Sequence, residues 1–382
     1  MKKAVIFMII IIFTGCLSLK VSAVNSTSEQ DLYEREYELS GAETLTDALP
    51  HDIRKQLEDI GINSPSWQEL NSLSFSEIGN KITDILQEQS FMPLSVLVKI
   101  TGVILLVALI ESLKNSFSSS TLSTVINSIS VMTVSVVLIR PLSEVIAYAV
   151  NVINVSADFM AVFLPIMATV MISSGQILQG GGNYRIVMWA GTVVSQVARR
   201  ILVPLLNIFL GISVVGGISE RINLNGFCEL TSKVIRWVLT FVMSVFTAIL
   251  TMQSIIAVSG DSASVRATRF AISSFVPLVG GALSEAYQTV RSCMGMLKSG
   301  VGVFSIIATG IIYLPAVLSC ILWLIAMNIA IALAGVFDSG QIIRLLRSTA
   351  SVISTLLAIL LCCMMIFIIS STVMLMIGGS SS

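Results

Sequence analysis

The sequence predicts an all-α, polytopic helical membrane protein with a cleaved signal peptide, a small exported helical amino-terminal segment and possible three-segment internal repeats. Three observations carry that reading. Of 382 residues, 55% are hydrophobic and 12% charged, with a mean hydropathy of +0.92, a balance that excludes an ordinary soluble enzyme. Long apolar runs recur at close to the ~20 residues that a helix needs to cross a bilayer. The net charge of zero also hides a split. Residues 24–93 hold fourteen acidic side chains against Arg35, Arg54, Lys55 and Lys81, whereas residues 94–382 hold eight acids and fifteen bases.

The chain begins as a secretory signal does: Lys2-Lys3, an apolar core from Ala4 to Phe13, and Val21-Ser22-Ala23 as a small-residue cleavage site. Residues 1–23 are the expected signal peptide, with an uncleaved first helix and lipidation at Cys16 as alternatives. Each of the three exports the acidic segment that follows.

Residues 24–93 are expected to form that exported helical segment. Asp52 to Ile60 reads as a short helix stopped by Gly61, with Ile53, Leu57 and Ile60 inward. Ser66-Trp67-Gln68-Glu69 and Ser74-Phe75-Ser76-Glu77 each place a glutamate three residues after a serine, the spacing that caps a helix start. Phe75, Ile78, Ile82, Ile85 and Leu86 then share one face of a helix expected to end near Ser90.

The membrane domain is expected over 94–382. A first span runs from about Leu94 to Leu113 and a second from Leu122 to Ile139, stopped by Arg140-Pro141. Further apolar segments lie near 156–174, 186–218, 234–257, 270–284, 301–334 and 352–377. Those at 186–218 and 301–334 exceed one straight span and contain Pro204 and Pro315, so each is a kinked helix or a pair of segments. Phe163-Leu164-Pro165-Ile166 matches Phe275-Val276-Pro277-Leu278 about 112 residues on, Val203-Pro204-Leu205 matches Leu314-Pro315-Ala316, and Arg236 matches Arg347. This suggests repeats over 156–257 and 268–377, with chance recurrence of proline in apolar sequence as the plainer account.

Charge at membrane depth is costly, so ionisable residues in apolar runs are default candidates for a pathway. Glu285 and Asp158 stand out because each lies near a matched Phe-x-Pro segment. Pro165, Pro277, Gly280 and Gly281 join them as residues that interrupt helices where backbone must line a cavity or be buried in protein. The competing account makes the carboxylates interfacial helix ends and the glycines packing points. Catalytic, cofactor and metal sites are not expected. His51 is the single histidine, no phosphate-loop spacing occurs, and Cys228, Cys293, Cys320, Cys362 and Cys363 lie in apolar surroundings without Cys-x-x-Cys spacing.

The segment from Arg269 to Ala286, preceded by Asp261 and Arg266 and followed by Tyr287-Gln288-Thr289-Val290, resembles the hallmark region of the stage III sporulation protein AE family of endospore-forming bacteria. The layout agrees along essentially the whole chain: a signal peptide, an acidic exported segment, Phe163-Leu164-Pro165 and a glycine-serine end at Gly378 to Ser382. The resemblance implies a non-enzymatic, multi-pass subunit of a channel or secretion-like complex in the outer forespore membrane of the mother cell. Its implied partners are the other stage III sporulation A proteins, including an ATPase and ring-forming subunits, a forespore-side channel partner and the lipid bilayer, with no nucleic acid. The implied role is support of forespore development and late sigma factor activity. Two other functions fit the residues alone: a self-sufficient secondary transporter of a small solute, and a membrane scaffold whose helices only pack.

Overall fold

The computed structural model describes residues 27–66, 69–70, 75–114, 120–174, 184–218, 226–249, 252, 280–337 and 339–376, and these residues are helical apart from short turns. The amino-terminal region holds α1 (Thr27–Ser40), the single turn α2 (Thr44–Asp47) and α3 (His51–Glu58). The long helices are α4 (Phe75–Lys114) and α5 (Ser120–Ser173), then α6 (Tyr184–Val197), which passes through a π-helical turn at Ala198–Leu202 into α7 (Val203–Ile218). After these come α8 (Gly226–Ile249), α9 (Gly280–Val336) and α10 (Gly340–Met376). Six helical stretches among the described residues are long and apolar enough to cross a membrane: Gly79–Ile110, Ser128–Ser173, Gly191–Gly216, Gly226–Ile249, Ser292–Val336 and Gly340–Leu375.

The amino-terminal turns follow local chemistry closely. α1 stops at Gly41, whose φ of 72° suits a residue without Cβ, while Ser40 Oγ donates to the Tyr37 carbonyl and accepts from the Ala42 amide. Pro50 leads into α3, and Gly61 at φ 82° ends the following turn. There the Ile62 amide reaches back to the Leu57 carbonyl, and Leu57, Ile60 and Ile62 are buried together. The expected capping box at Ser66 is half realised. The Glu69 amide sits 3.5 Å from Ser66 Oγ, but the Glu69 carboxylate accepts from the Asn63 and Ser64 amides instead of turning back to Ser66. Ser74, the cap of the second box, lies outside the described residues, and the helix begins directly after it. α1 packs on both α5 and α9, α2 on α5 and α3 on α9, so the acidic region is docked along the side of the bundle. Burial pushes the Tyr37 phenol well above its ordinary range.

Four prolines lie inside helices, and two expected helix ends, near Ser90 and at Arg140-Pro141, are not found. α4 does not end near Ser90 but continues through a buried Pro93 for 40 residues. α5 does not stop at Arg140-Pro141 but continues through Pro141 and Pro165 for 54 residues, joining the expected 122–139 and 156–174 segments into one helix. Pro315 likewise stays within the 57 residues of α9. A proline removes one backbone hydrogen bond and crowds one carbonyl, at about 3 kcal/mol. Here the packing on either side outweighs it: Val96, Ile100, Ile104 and Val107 after Pro93 are buried, as are Leu138, Leu142, Val145 and Ile146 around Pro141. At ~1.5 Å per residue α5 and α9 are each about 80 Å long, more than twice the ~30 Å of a bilayer core.

The α9–α10 hairpin forms the centre of the core. Trp323, Tyr313 and Phe304 are each no more than 1% exposed. The two helices approach closely where side chains are small: a Cβ on Gly302 would fall 2.7 Å from Leu375 Cδ1, and Ser305 and Ser371 share a 2.9 Å hydrogen bond nearby. α5 crosses this hairpin through Phe159, which meets Phe163 and Phe304, and through Ser156, whose Oγ lies 2.8 Å from the Tyr313 hydroxyl. Of the matched segments, Phe275 to Leu278 lies outside the described residues. The second pair differs in conformation, since Pro204 follows a π-helical turn whereas Pro315 sits in continuous α-helix.

Candidate functional site: a charged cavity beside the π-helical turn

Five amino acids earlier than the end of α6, one helical face begins to turn polar. Gly191, Thr192, Ser195 and Arg199 follow one another at spacings of one, three and four, which keeps them on the same side of the rod. The π-helical turn lies immediately before Pro204, and the Val203 amide there reaches back five residues to the Ala198 carbonyl. Pro204 has no amide to give and its ring crowds the carbonyl four residues back, so widening the preceding turn relieves the conflict that a continuous α-helix would meet. Arg199 and Arg200 occupy that widened turn and are both exposed.

Opposite this face, α5 presents Ala157, Asp158 and Ala161, small residues on either side of one carboxylate. Phe246 of α8 and Ile366, Phe367 and Ser370 of α10 complete the walls. Together these helices enclose a cavity of about 200 Å³ into which Asp158, Arg199, Ser195 and Thr192 all face. Gly191 lets the wall close: a Cβ there would come to 3.6 Å from Phe367 Cε1. Ser195 is 1% exposed and its Oγ has no hydrogen-bond partner among the described residues. Asp158 and Arg199 are exposed and form no ion pair with each other. The ion pairs among the described residues are Arg54–Asp47, Lys81–Asp59, Arg140–Glu144 and Lys233–Glu229.

Of the residues singled out from sequence, Asp158 is the one that this cavity gathers. Pro165 lies two turns further along the same face of α5, exposed, within the helix and not at a break, and its carbonyl accepts from Thr169 Oγ1 at 3.1 Å. Gly280 and Gly281 open α9 and Glu285 lies in its first two turns. The glycine pair lies in the first described turn of α9, and Pro277 lies outside the described residues. Arg199 and Ser195 were missed as site residues. Their signal was present, a serine and an arginine four apart just ahead of a proline in an apolar run, but nothing in sequence pairs them with Asp158 some forty residues earlier.

The remaining chemistry is sparse. The five described cysteines are free, with Cys228, Cys293, Cys320 and Cys363 buried and Cys362 half-buried. Among the described residues no three His, Cys, Asp or Glu side chains come together as metal ligands would.

No solved structure matches the chain. A relative described as "Stage III sporulation protein AE" from Bacillus subtilis (strain 168) is 22% identical over 212 residues. That alignment covers 54% of this chain and 53% of the relative, so the chain spans about half the length of the curated relative it matches. The family match extends further, over residues 63–378, from the turn that follows α3 to two residues past the end of α10. That range takes in all six span-length helices and both sides of the charged cavity, and the description attached to it names a sporulation stage and no reaction. The chain belongs to the Stage III sporulation protein AE family.

Proposed function

We propose that this protein is the polytopic membrane subunit of a conduit between mother cell and forespore, working within the stage III sporulation complex beside an ATPase and ring-forming proteins. In this reading it resides in the outer forespore membrane, its acidic region faces the intermembrane space, and its passage of material supports forespore development and late sigma factor activity. The observation that carries the reading is the family match over 63–378 coinciding with the six span-length helices. A carboxylate, a guanidinium and an unpartnered hydroxyl around one cavity add a reason for the bundle to handle polar material. The same cavity favours the second reading, a secondary transporter of a small solute.

The test is development in the native host carrying Asp158→Asn or Glu285→Gln, with protein abundance checked by immunoblot. A stable variant that stalls after engulfment, with late forespore gene expression lost, is the expected result. Normal spore yield from both variants at normal abundance would leave only a scaffold role for these helices. Conductance or flux by the purified protein without its neighbours would favour the transporter over the conduit.

A further inference from the structure

We infer that the cavity between α5, α6, α8 and α10 is a binding site for a small zwitterion, a molecule carrying an ammonium group and an oxyanion a few bonds apart, with an apolar remainder. The argument starts from charge. Asp158 and Arg199 face the same 200 Å³ space without pairing to each other, on spans that are otherwise strongly apolar. A cation alone would neutralise Asp158 and leave Arg199 unmatched, and an anion alone would do the reverse. A zwitterion satisfies both at once and leaves neither charge unmatched within the apolar spans.

The second observation is Ser195. Its hydroxyl is buried on the cavity wall and unpartnered among the described residues, a cost of about 1–3 kcal/mol unless something in the cavity completes it. It lies one turn from Arg199 on the same face, placed to bond the ligand's ammonium or its oxyanion. Ser370, 3% exposed, stands on the α10 wall. Met160, Leu164, Phe246, Ile366 and Phe367 line the rest, so the uncharged part of the ligand is aliphatic. The π-helical turn contributes by setting the angle at which Arg199 leaves the helix. The site belongs to this chain alone and stands whether or not the assembly conducts. Two sources supply such a zwitterion: free aliphatic amino acids and the head group of phosphatidylethanolamine.

The experiment uses the full chain in lipid nanodiscs made from phosphatidylglycerol alone. Saturable binding of radiolabelled alanine, valine or leucine is expected for the wild type. 4-Methylpentanoate, which lacks the amine, and 3-methylbutylamine, which lacks the carboxylate, should each compete at least about tenfold less well than leucine. Asp158→Asn and Arg199→Gln should each weaken leucine binding at least about tenfold, and Ser195→Ala several-fold. Arg140→Gln, on the exposed Arg140–Glu144 pair, should leave binding unchanged. Arg199→Lys, which keeps the charge, should recover part of the loss, which separates charge recognition from misfolding. A parallel preparation containing phosphatidylethanolamine identifies the source. If that lipid co-purifies with the wild type but not with Asp158→Asn, and blocks leucine, the head group is the natural occupant. The inference is overturned if folded wild-type protein binds neither amino acids nor that lipid, or if both half-molecules compete as well as leucine.

Discussion

At the scale of single residues, the contact between Ser156 and Tyr313 shows how polar groups are tolerated inside this bundle. Ser156 Oγ donates to the Ile153 carbonyl at 2.9 Å, so at 2.8 Å it acts as acceptor for the Tyr313 hydroxyl. Both residues are at most 1% exposed, and Tyr313 has no route to water. Ser156→Ala therefore strands a buried donor and should cost about 1–3 kcal/mol of unfolding free energy in mixed micelles. Tyr313→Phe removes the donor itself and should cost less. The double variant should be more stable than the sum of the two losses by at least about 0.5 kcal/mol, and strict additivity would show that the hydrogen bond does not form. Sequence alone gave no access to this pair. Serine and tyrosine 157 residues apart in apolar runs carry no pairing signal, and only the crossing of α5 over α9 brings them together. Gly61, by contrast, was legible as a helix stop because its role depends on a local turn.

At the scale of helices, what sequence could and could not reveal turns on proline. Pro141, Pro165 and Pro315 read as stops, breaks or kinks, because each removes a backbone donor whatever its surroundings. None of them ends its helix, since packing is settled by neighbours that lie far away in sequence. Pro204 is the one whose local effect appears in the backbone, as the π-helical turn immediately before it. Pro204→Ala restores the missing amide and removes the ring, so the turn is expected to relax to α-helix. Losing the extra residue of the wide turn would rotate Ser195 and Arg199 by about 100° relative to α7. Leucine binding in nanodiscs should then fall at least as far as in Arg199→Gln, while the thermal unfolding midpoint stays the same or rises, because an interior proline has been removed. Retained binding at full affinity would show that the turn does not set the direction of Arg199.

At the scale of the whole molecule, the long helices determine which charges share a side. α5 and α9 run antiparallel, with Ser156 beside Tyr313 and Phe159 beside Phe304, and α9 and α10 are antiparallel across the turn at Ser339. α8 runs with α10, since Ser232 meets Thr355 and Phe246 shares a cavity with Phe367. Joining 122–139 to 156–174 removes one crossing, so the end of α4 at Lys114 and the exposed Arg344 and Arg347 lie toward the end opposite the start of α4, whereas Lys233, next to the Ser232–Thr355 contact, lies part-way along the bundle. The acidic region is docked on the other part of the bundle, with Asp52 and Glu88 close enough to Tyr148 to act on it electrostatically. An excess of lysine and arginine marks cytoplasmic ends, and an acidic segment expected to be exported belongs on the opposite side, so Lys114, Arg344 and Arg347 predict a cytoplasmic end opposite the acidic region. Single-cysteine variants at exposed Asp52 and Arg344, placed in a chain whose native cysteines are replaced by alanine or serine and expressed in vegetative cells, so that the non-cytoplasmic face is the outer cell surface, test it in protoplasts with a membrane-impermeant maleimide. Asp52→Cys should label in intact protoplasts and Arg344→Cys only after lysis. Labelling of both before lysis would break the alternation of the helices and, with it, the expected placement of Lys114, Arg344 and Arg347 on the cytoplasmic side.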